Sequence, residues 1–218
     1  MNIRDCTIKT SSTQSYSNRR YTYGIYTNNS NYCNLSDNII EEKSSYNHGM
    51  YIQNSQNNTL NNISITRGAY SSTSHDAVHL ESSFNNTLRD FSIAGGNNKH
   101  GIHAYSSNNI SVINSTINGV RDHGIYIQNS NYCNISENNV TDSGDYGIYI
   151  QNSENATLLS NDLDRNRDGM NFEFSTNSTL TGNTITDSSE YGINITSSQG
   201  SILRSNGMCV RLSNPALH

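Results

Sequence analysis

Hydrophobic and polar positions recur along this chain with a fixed order. The phrase GIYIQNSNYCNISENNV begins at Gly124, and partial copies begin at Gly24, Gly49 and Gly147. Further coil starts fall at Ala77, Gly101, Gly169 and Gly192, so successive starts lie 25, 28, 24, 23, 23, 22 and 23 residues apart. Counting each start as slot 0, slot +1 holds Ile25, Met50, Val78, Ile102, Ile125, Ile148, Met170 and Ile193. Slot +3 is apolar in most coils, slot +11 is Leu, Val or Ile throughout, and slot +16 is Ile, Val, Leu or Met. The pairs +1/+3, +9/+11 and +14/+16 each alternate with period two, which marks three short strands per coil with one face inward. Polar corners separate them. Three strands per coil predict an all-β, right-handed single-stranded parallel β-helix, a three-sided solenoid of about eight full coils.

Two polar columns support that register. Slot +6 is Ser in all eight coils, and slot +14 is Asn38, Asn138, Asn161, Asn183 and Asn206 in five. Stacked hydroxyls and amides can bond to corner backbone and to their copies above and below, so these columns read as structural. Leucine-rich repeats share the period but need a different consensus. Helical repeats conflict with the period-two pattern, and a propeller blade needs about 40 residues.

Composition adds limits. The hydrophobic fraction is 32%, low for a globular domain, yet charged residues are only 14%, which is not the high-charge signature of disorder. A formal charge of −5 offers no basic surface for nucleic acid. No apolar run is long enough for membrane insertion, and the N-terminus has no signal-peptide h-region. Cys33 and Cys133 share inward slot +9 four coils apart, roughly 19 Å at about 4.8 Å per coil, which predicts two reduced, buried thiols. Cys6 also falls on an inward slot.

The repeated Gly-Ile-x-Ile, corner Ser and Asn before the last strand resemble the parallel β-helix repeat family, including NosD-like and pectate-lyase-like right-handed β-helix proteins. The resemblance covers nearly the whole chain. It implies the fold, while the family spans carbohydrate lyases, epimerases, accessory proteins and surface proteins. Extracellular, cell-surface or periplasmic residence follows if the chain is part of a longer exported protein.

Residues 1–218 read as a single β-helix domain. Ile3, Cys6 and Ile8 match slots +11, +14 and +16, and Ala216 and Leu217 fall where a ninth coil would begin. Neither end shows an amphipathic capping helix. The expectation is a fragment of a longer solenoid, or ends covered by a partner, including end-to-end self-association through uncapped coils. A compact cap made by residues 9–22 is the alternative.

Candidate chemistry gathers on the first strand. Slots −1 and +2 are predicted to face outward, and six of the seven histidines fall at or beside them. Slot −1 includes His48, Asp76, His100 and His123, while slot +2 includes Tyr51, His79, His103, Tyr126 and Tyr149. The longer loops at 9–23, 41–48, 66–76 and 94–100 are expected to wall a groove beside this face. Tyr51, Asp76, His79, Lys99, His103 and Tyr149 are candidate glycan contacts, aromatic faces serving sugars and charged groups serving hydroxyls and carboxylates. A carbohydrate-recognition module is the first reading. A polysaccharide lyase or uronate C5-epimerase is the second. It would use His100 or His123 as base, Tyr126 as acid, and Arg121 or Lys99 to neutralise the enediolate-like intermediate. The stretch RDHG, with Arg121, Asp122 and His123, resembles the Asp-x-His catalytic stretch of β-helix epimerases, without its intervening proline and following acid. A structural or self-assembling surface repeat is the third reading, in which outward His and Tyr merely stack on one another. No cofactor is predicted. A divalent metal shared by His79 and His103 is geometrically allowed, since parallel strands place the two rings about 4.8 Å apart.

Overall fold

The computed structural model describes residues 1–10, 23–42, 48–67, 75–95 and 98–210, side chains at 10, 42 and 208–210 excepted. The loop segments and the N-terminal cap expected above fall largely outside these residues, as do Ala216 and Leu217. The chain is a right-handed parallel β-helix with no helix among the described residues. Three sheets run its length. The first contains eight strands, from Ile25–Asn28 to Ile193–Thr196, and the second and third contain nine each, beginning at Asn2–Arg4 and Thr7–Thr10. Every pairing is parallel and follows the predicted register, for example Ile102↔Ile125 and Ile125↔Ile148 in the first sheet, except that the register shifts past Ile185↔Met208 in the last pair of the third sheet.

The inward slots build one continuous core. Ile125, Ile127, Ile135 and Val140 are completely buried. In the last coil the expectation of burial fails. Ile193 is half-buried, and Ile195 and Leu203 are exposed, because no further described coil stacks over them. Cys33 and Cys133 are free and buried, whereas Cys6 is exposed rather than inward-packed, since it lies in the first described coil with only one neighbour.

The corners explain the composition. The serine column is a ladder in which Ser107 N–H donates to Ser130 Oγ at 2.8 Å, Ser130 N–H to Ser153 Oγ at 3.0 Å, and so on through Ser175 and Ser198. The asparagine column does the same through Oδ1, with Asn138 N–H donating to Asn161 at 3.1 Å and Asn161 N–H to Asn183 at 3.0 Å. Slots +9 and +14 sit just before their strands, not within them, and it is this bend that frees their N–H groups for side-chain acceptors. A second role for asparagine was not anticipated. Slots +5, +8 and +13 take left-handed backbone in coil after coil, as at Asn129 (φ 51°), Asn155 (φ 57°) and Asn114 (φ 49°). Asn and Asp tolerate that region best among residues with a Cβ. At slot 0 the backbones approach closely, and a Cβ on Gly24 would sit 2.6 Å from both Gly49 O and Ile40 Cγ2, although Ala77 carries a methyl at the same slot in the third coil.

Candidate functional site

The first sheet carries two columns of rings, and the structure corrects their placement. Slot −1 is not outward in coils three to five, although Tyr191 in the last coil is exposed, and at slot +2 Tyr126 and Tyr149 are buried rather than outward. Asp76, His100 and His123 are 3%, 2% and 8% exposed. The reason is a further corner ladder. Asp76 N–H donates to His48 Nδ1 at 3.0 Å, His100 N–H to Asp76 Oδ1 at 3.3 Å, His123 N–H to His100 Nδ1 at 3.3 Å, and Tyr146 N–H to His123 Nδ1 at 3.5 Å. Imidazole Nδ1 here plays the part that asparagine Oδ1 plays elsewhere. Each such ring is therefore neutral with its proton on Nε2. Burial drives the same way, holding His48, His100 and His123 down to about 3, about 2 and about 4.

Slot +2 rings lie beside this column. His79 and His103 are vertical neighbours, as are His100 and His123. His79 Nδ1 lies 2.7 Å and His103 Nδ1 3.2 Å from Asp76 Oδ2, and His48 Nδ1 lies 3.6 Å from it. Burial would raise the Asp76 carboxyl, but hydrogen bonds from His103 and His79 hold it well below the usual carboxylate range. Above His103 the rings continue as a face-to-face stack, His103 to Tyr126 at 4.6 Å and Tyr126 to Tyr149 at 4.9 Å. Their faces are thus occupied by one another. Their hydroxyls are also engaged: Tyr51 bonds Glu81, Tyr126 bonds Gln151, and Tyr149 bonds Glu173.

Those acceptors form an outer row that the sequence reading passed over. Slot +4 holds Gln53, Glu81, Tyr105, Gln128, Gln151 and Glu173, all at least partly exposed; Gln53 Nε2 donates to Glu81, Gln128 Nε2 to Gln151 Oε1 at 3.0 Å, and Gln151 Nε2 to Glu173. On the opposite flank, slot −2 is a charge column of Lys99, Asp122, Asp145, Arg167 and Glu190. Arg167 pairs with Asp145 and stands over the Tyr146 ring, 5.8 Å from its centroid. Arg121 Nε lies 3.1 Å from Asp122 Oδ1. Asp145 Oδ2 approaches His123 Nδ1 at 3.5 Å, and burial raises the Asp145 carboxyl despite Arg167.

Of the predicted residues, Asp76, His79, His100 and His103 form one cluster. His123, Tyr126 and Tyr149 continue the ring columns, while Lys99, Arg121 and Asp122 lie on the charged flank. His100 presents no free nitrogen to solvent: Nδ1 serves the ladder, and Nε2 is buried without a hydrogen-bond partner among the described residues. That placement does not suit a base acting on an external polymer. Asp145 and Arg167 were missed, although slot alignment one position further upstream would have shown them.

A right-handed parallel β-solenoid with a polar, ring-lined first sheet is the class this architecture defines. Residues 70–207 match the family described as right-handed β-helix region, and the chain belongs to that family. No curated protein sequence matches it. Among solved structures, it resembles the Dettilon tailspike protein at a TM-score of 0.59 and 10% identity, covering 95% of this chain and 54% of that one. It resembles the periplasmic alginate epimerase AlgG at 0.53 and 12%, covering 82% and 59%. It also resembles PfbA, a surface adhesin of Streptococcus pneumoniae, at 0.50 and 12%, covering 83% and 62%. The chain thus spans between half and two thirds of the length of these neighbours.

Proposed function

We propose that this chain is the glycan-recognition part of an exported or surface β-helix protein, and that it binds polysaccharide along the outer row of the first sheet. The observation that carries the reading is the row itself. Amide and carboxylate side chains run from Gln53 to Glu173, one per coil at about 4.8 Å except where the phenol of Tyr105 takes the place, with the edges of Tyr51, Tyr126 and Tyr149 beneath them. A regularly spaced line of donors and acceptors suits an extended polymer that repeats its hydroxyls. The stacked faces of the Tyr rings are not available as sugar platforms, so hydrogen bonding and ring edges carry recognition. The solved structures of similar fold include a periplasmic alginate epimerase, which supports a carbohydrate role in general.

The test is a glycan array with the intact chain, followed by titration of any ligand retained. Gln128→Ala with Gln151→Ala should weaken binding at least tenfold while leaving the fold unchanged. Equal binding by parent and double variant would overturn the proposal, as would no retained glycan.

One feature favours the lyase or epimerase reading as a second choice. Asp145, its carboxyl raised by burial, stands between the Arg167 guanidinium and His123, which puts a carboxyl and an imidazole beside a cation able to neutralise a uronate. Product analysis on polyuronates decides it: new unsaturated ends or inverted uronate units, lost in Asp145→Asn, are expected of an enzyme.

A further inference from the structure

The corner between the first and second sheets holds a departure that the fold does not explain. Slots +5 and +8 take left-handed backbone in coil after coil, and bonds between coils fix them there, as where Tyr132 N–H donates to Glu154 O at 2.9 Å. Slot +8 is Asn or Gly in six coils, and slot +5 is Asn or Ser in seven. Three positions break the rule. Tyr32 and Tyr132 stand at slot +8 with φ of 56° and 59°, and Phe174 stands at slot +5 with φ of 49°. A bulky ring makes this conformation a true outlier, and residues strained in this way gather at ligand-binding sites. These three are the aromatic residues with positive φ among the described residues, and all lie on this one corner.

Burial does not offset the strain. Tyr32, Tyr132 and Phe174 are 78%, 61% and 56% exposed. They enter no ring contact among the described residues, whereas Tyr126 and Tyr149 stack face to face. Their ring faces are open to a ligand. Tyr132 and Phe174 are two coils apart, roughly 10 Å at about 4.8 Å per coil, and Tyr32 lies four coils before Tyr132.

The charge of this edge narrows the ligand. Slots +4 to +8 of all eight coils contain no Lys, Arg or His, and three carboxylates, Glu81, Glu154 and Glu173. A polyanion would meet like charge there with no cation to receive it. The amides and hydroxyls that fill the other positions suit neutral hydroxyl groups. Aromatic faces are electron-rich and suit the weakly positive C–H bonds on the face of a pyranose ring. Those C–H bonds are unobstructed when the hydroxyls of the sugar are equatorial.

We propose that Tyr32, Tyr132 and Phe174 are the sugar platforms of this edge, and that its ligand is a neutral polysaccharide of equatorially hydroxylated pyranose units. The inference rests on glycan recognition by the slot +4 row, which Phe174 directly follows. It supplies, at the adjoining corner, the open ring faces that the stacked tyrosines lack.

The experiment titrates the full chain by calorimetry with two probes. One is cellohexaose. The other is the corresponding glucuronate hexamer, which carries a carboxylate in place of each hydroxymethyl group. The parent should bind the neutral hexamer at least tenfold more tightly. Tyr132→Asn combined with Phe174→Asn should lose at least tenfold in affinity for it. The unfolding midpoint of that double variant should equal or exceed the parent's, because asparagine tolerates the left-handed region better. Tyr132→Phe, which keeps the ring, should bind as the parent does. Equal affinity of parent and double variant would overturn the proposal, as would equal or tighter binding of the glucuronate hexamer; either result leaves glycan recognition standing. A lower unfolding midpoint in the double variant would show that the rings serve the fold, and would overturn it too. If the parent binds neither hexamer the proposal falls, and glycan recognition falls with it only when the array also retains nothing.

Discussion

Acid should loosen this β-helix through its buried imidazoles, and the size of the effect follows from three of them. The folded chain holds His48, His100 and His123 near 3, 2 and 4, against about 6.5 when unfolded. Each group is depressed by burial, so the unfolded chain binds more protons below pH 6.5. Stability is therefore fully present above that value and falls as pH drops toward the folded values. At pH 5 each histidine has cost about 2 kcal/mol, at roughly 1.4 kcal/mol per pH unit. Together they remove about 6 kcal/mol, a large share of the 5–15 kcal/mol typical of a domain. Asp145, raised by burial, shifts stability in the opposite sense only near the carboxylate range. The assay is proton uptake on urea unfolding at pH 5.5, parent against the triple variant His48→Asn, His100→Asn, His123→Asn. Asparagine keeps an acceptor for each ladder N–H, as Asn161 does one corner away. The parent should take up close to three more protons than the variant, since each unfolded imidazole is about nine-tenths protonated there. Equal uptake by the two proteins would show that these rings are not held neutral, and the ladder assignment of Nδ1 would fall with it.

Ser107→Ala should cost about 1–3 kcal/mol in urea melts, because it strips the acceptor from the buried Ser83 N–H; a change within 0.5 kcal/mol would count against the serine ladder. Phe174→Asn should stabilise by up to about 1–2 kcal/mol, since Phe174 is exposed and holds a left-handed φ of 49° that asparagine tolerates better. Gly124→Ala should be far more damaging than Gly119→Ala. A Cβ at 124 would meet Gly147 O at 2.6 Å and Val140 Cγ1 closer still, while one at 119 meets nothing within 4 Å and incurs only the strain of φ 67°. Thiol titration should find Cys6 reactive in the native protein and Cys133 inert until denaturant is added, its thiol pushed up to about 11 by burial.

Period-two alternation was enough to place Ile125, Ile135 and Val140 in the core, because a parallel β-helix has one register per coil and a single-residue slip would expose every one of them. The serine column was equally legible, since eight identical residues at one slot have no other economical explanation. The first-strand chemistry was harder to read. Alternation predicts which way a side chain points but not whether a neighbouring corner folds it back. Slot −1 lies where the chain turns into the strand, and there the imidazole turns inward to accept a backbone proton. Nothing in the identity of His100 or His123 announces that use, which other corners assign to Asn or Ser. The charge pair of Asp145 and Arg167 was hidden for a different reason. It arises between successive coils, 22 residues apart, and appears only when slot −2 is aligned as carefully as the apolar slots.

The ladder also sharpens the question of why histidine is there at all. The N–H at slot −1 needs one acceptor, and Asp168 meets that need for Tyr191 at 2.8 Å with a carboxylate and no imidazole. Asparagine meets the equivalent need at the +14 corner from Asn138 to Asn206. Imidazole does the same work less well, since its second nitrogen must then be paired or left dry, and at His100 it is left dry. It also makes the fold sensitive to acid, as the proton linkage above requires. The repeat solves the same corner with Asp or Asn elsewhere, so the backbone does not require imidazole at positions 48, 100 and 123, nor at His79 and His103 beside them. The region from His48 to Tyr126 is therefore where a loss of function should separate from a loss of fold.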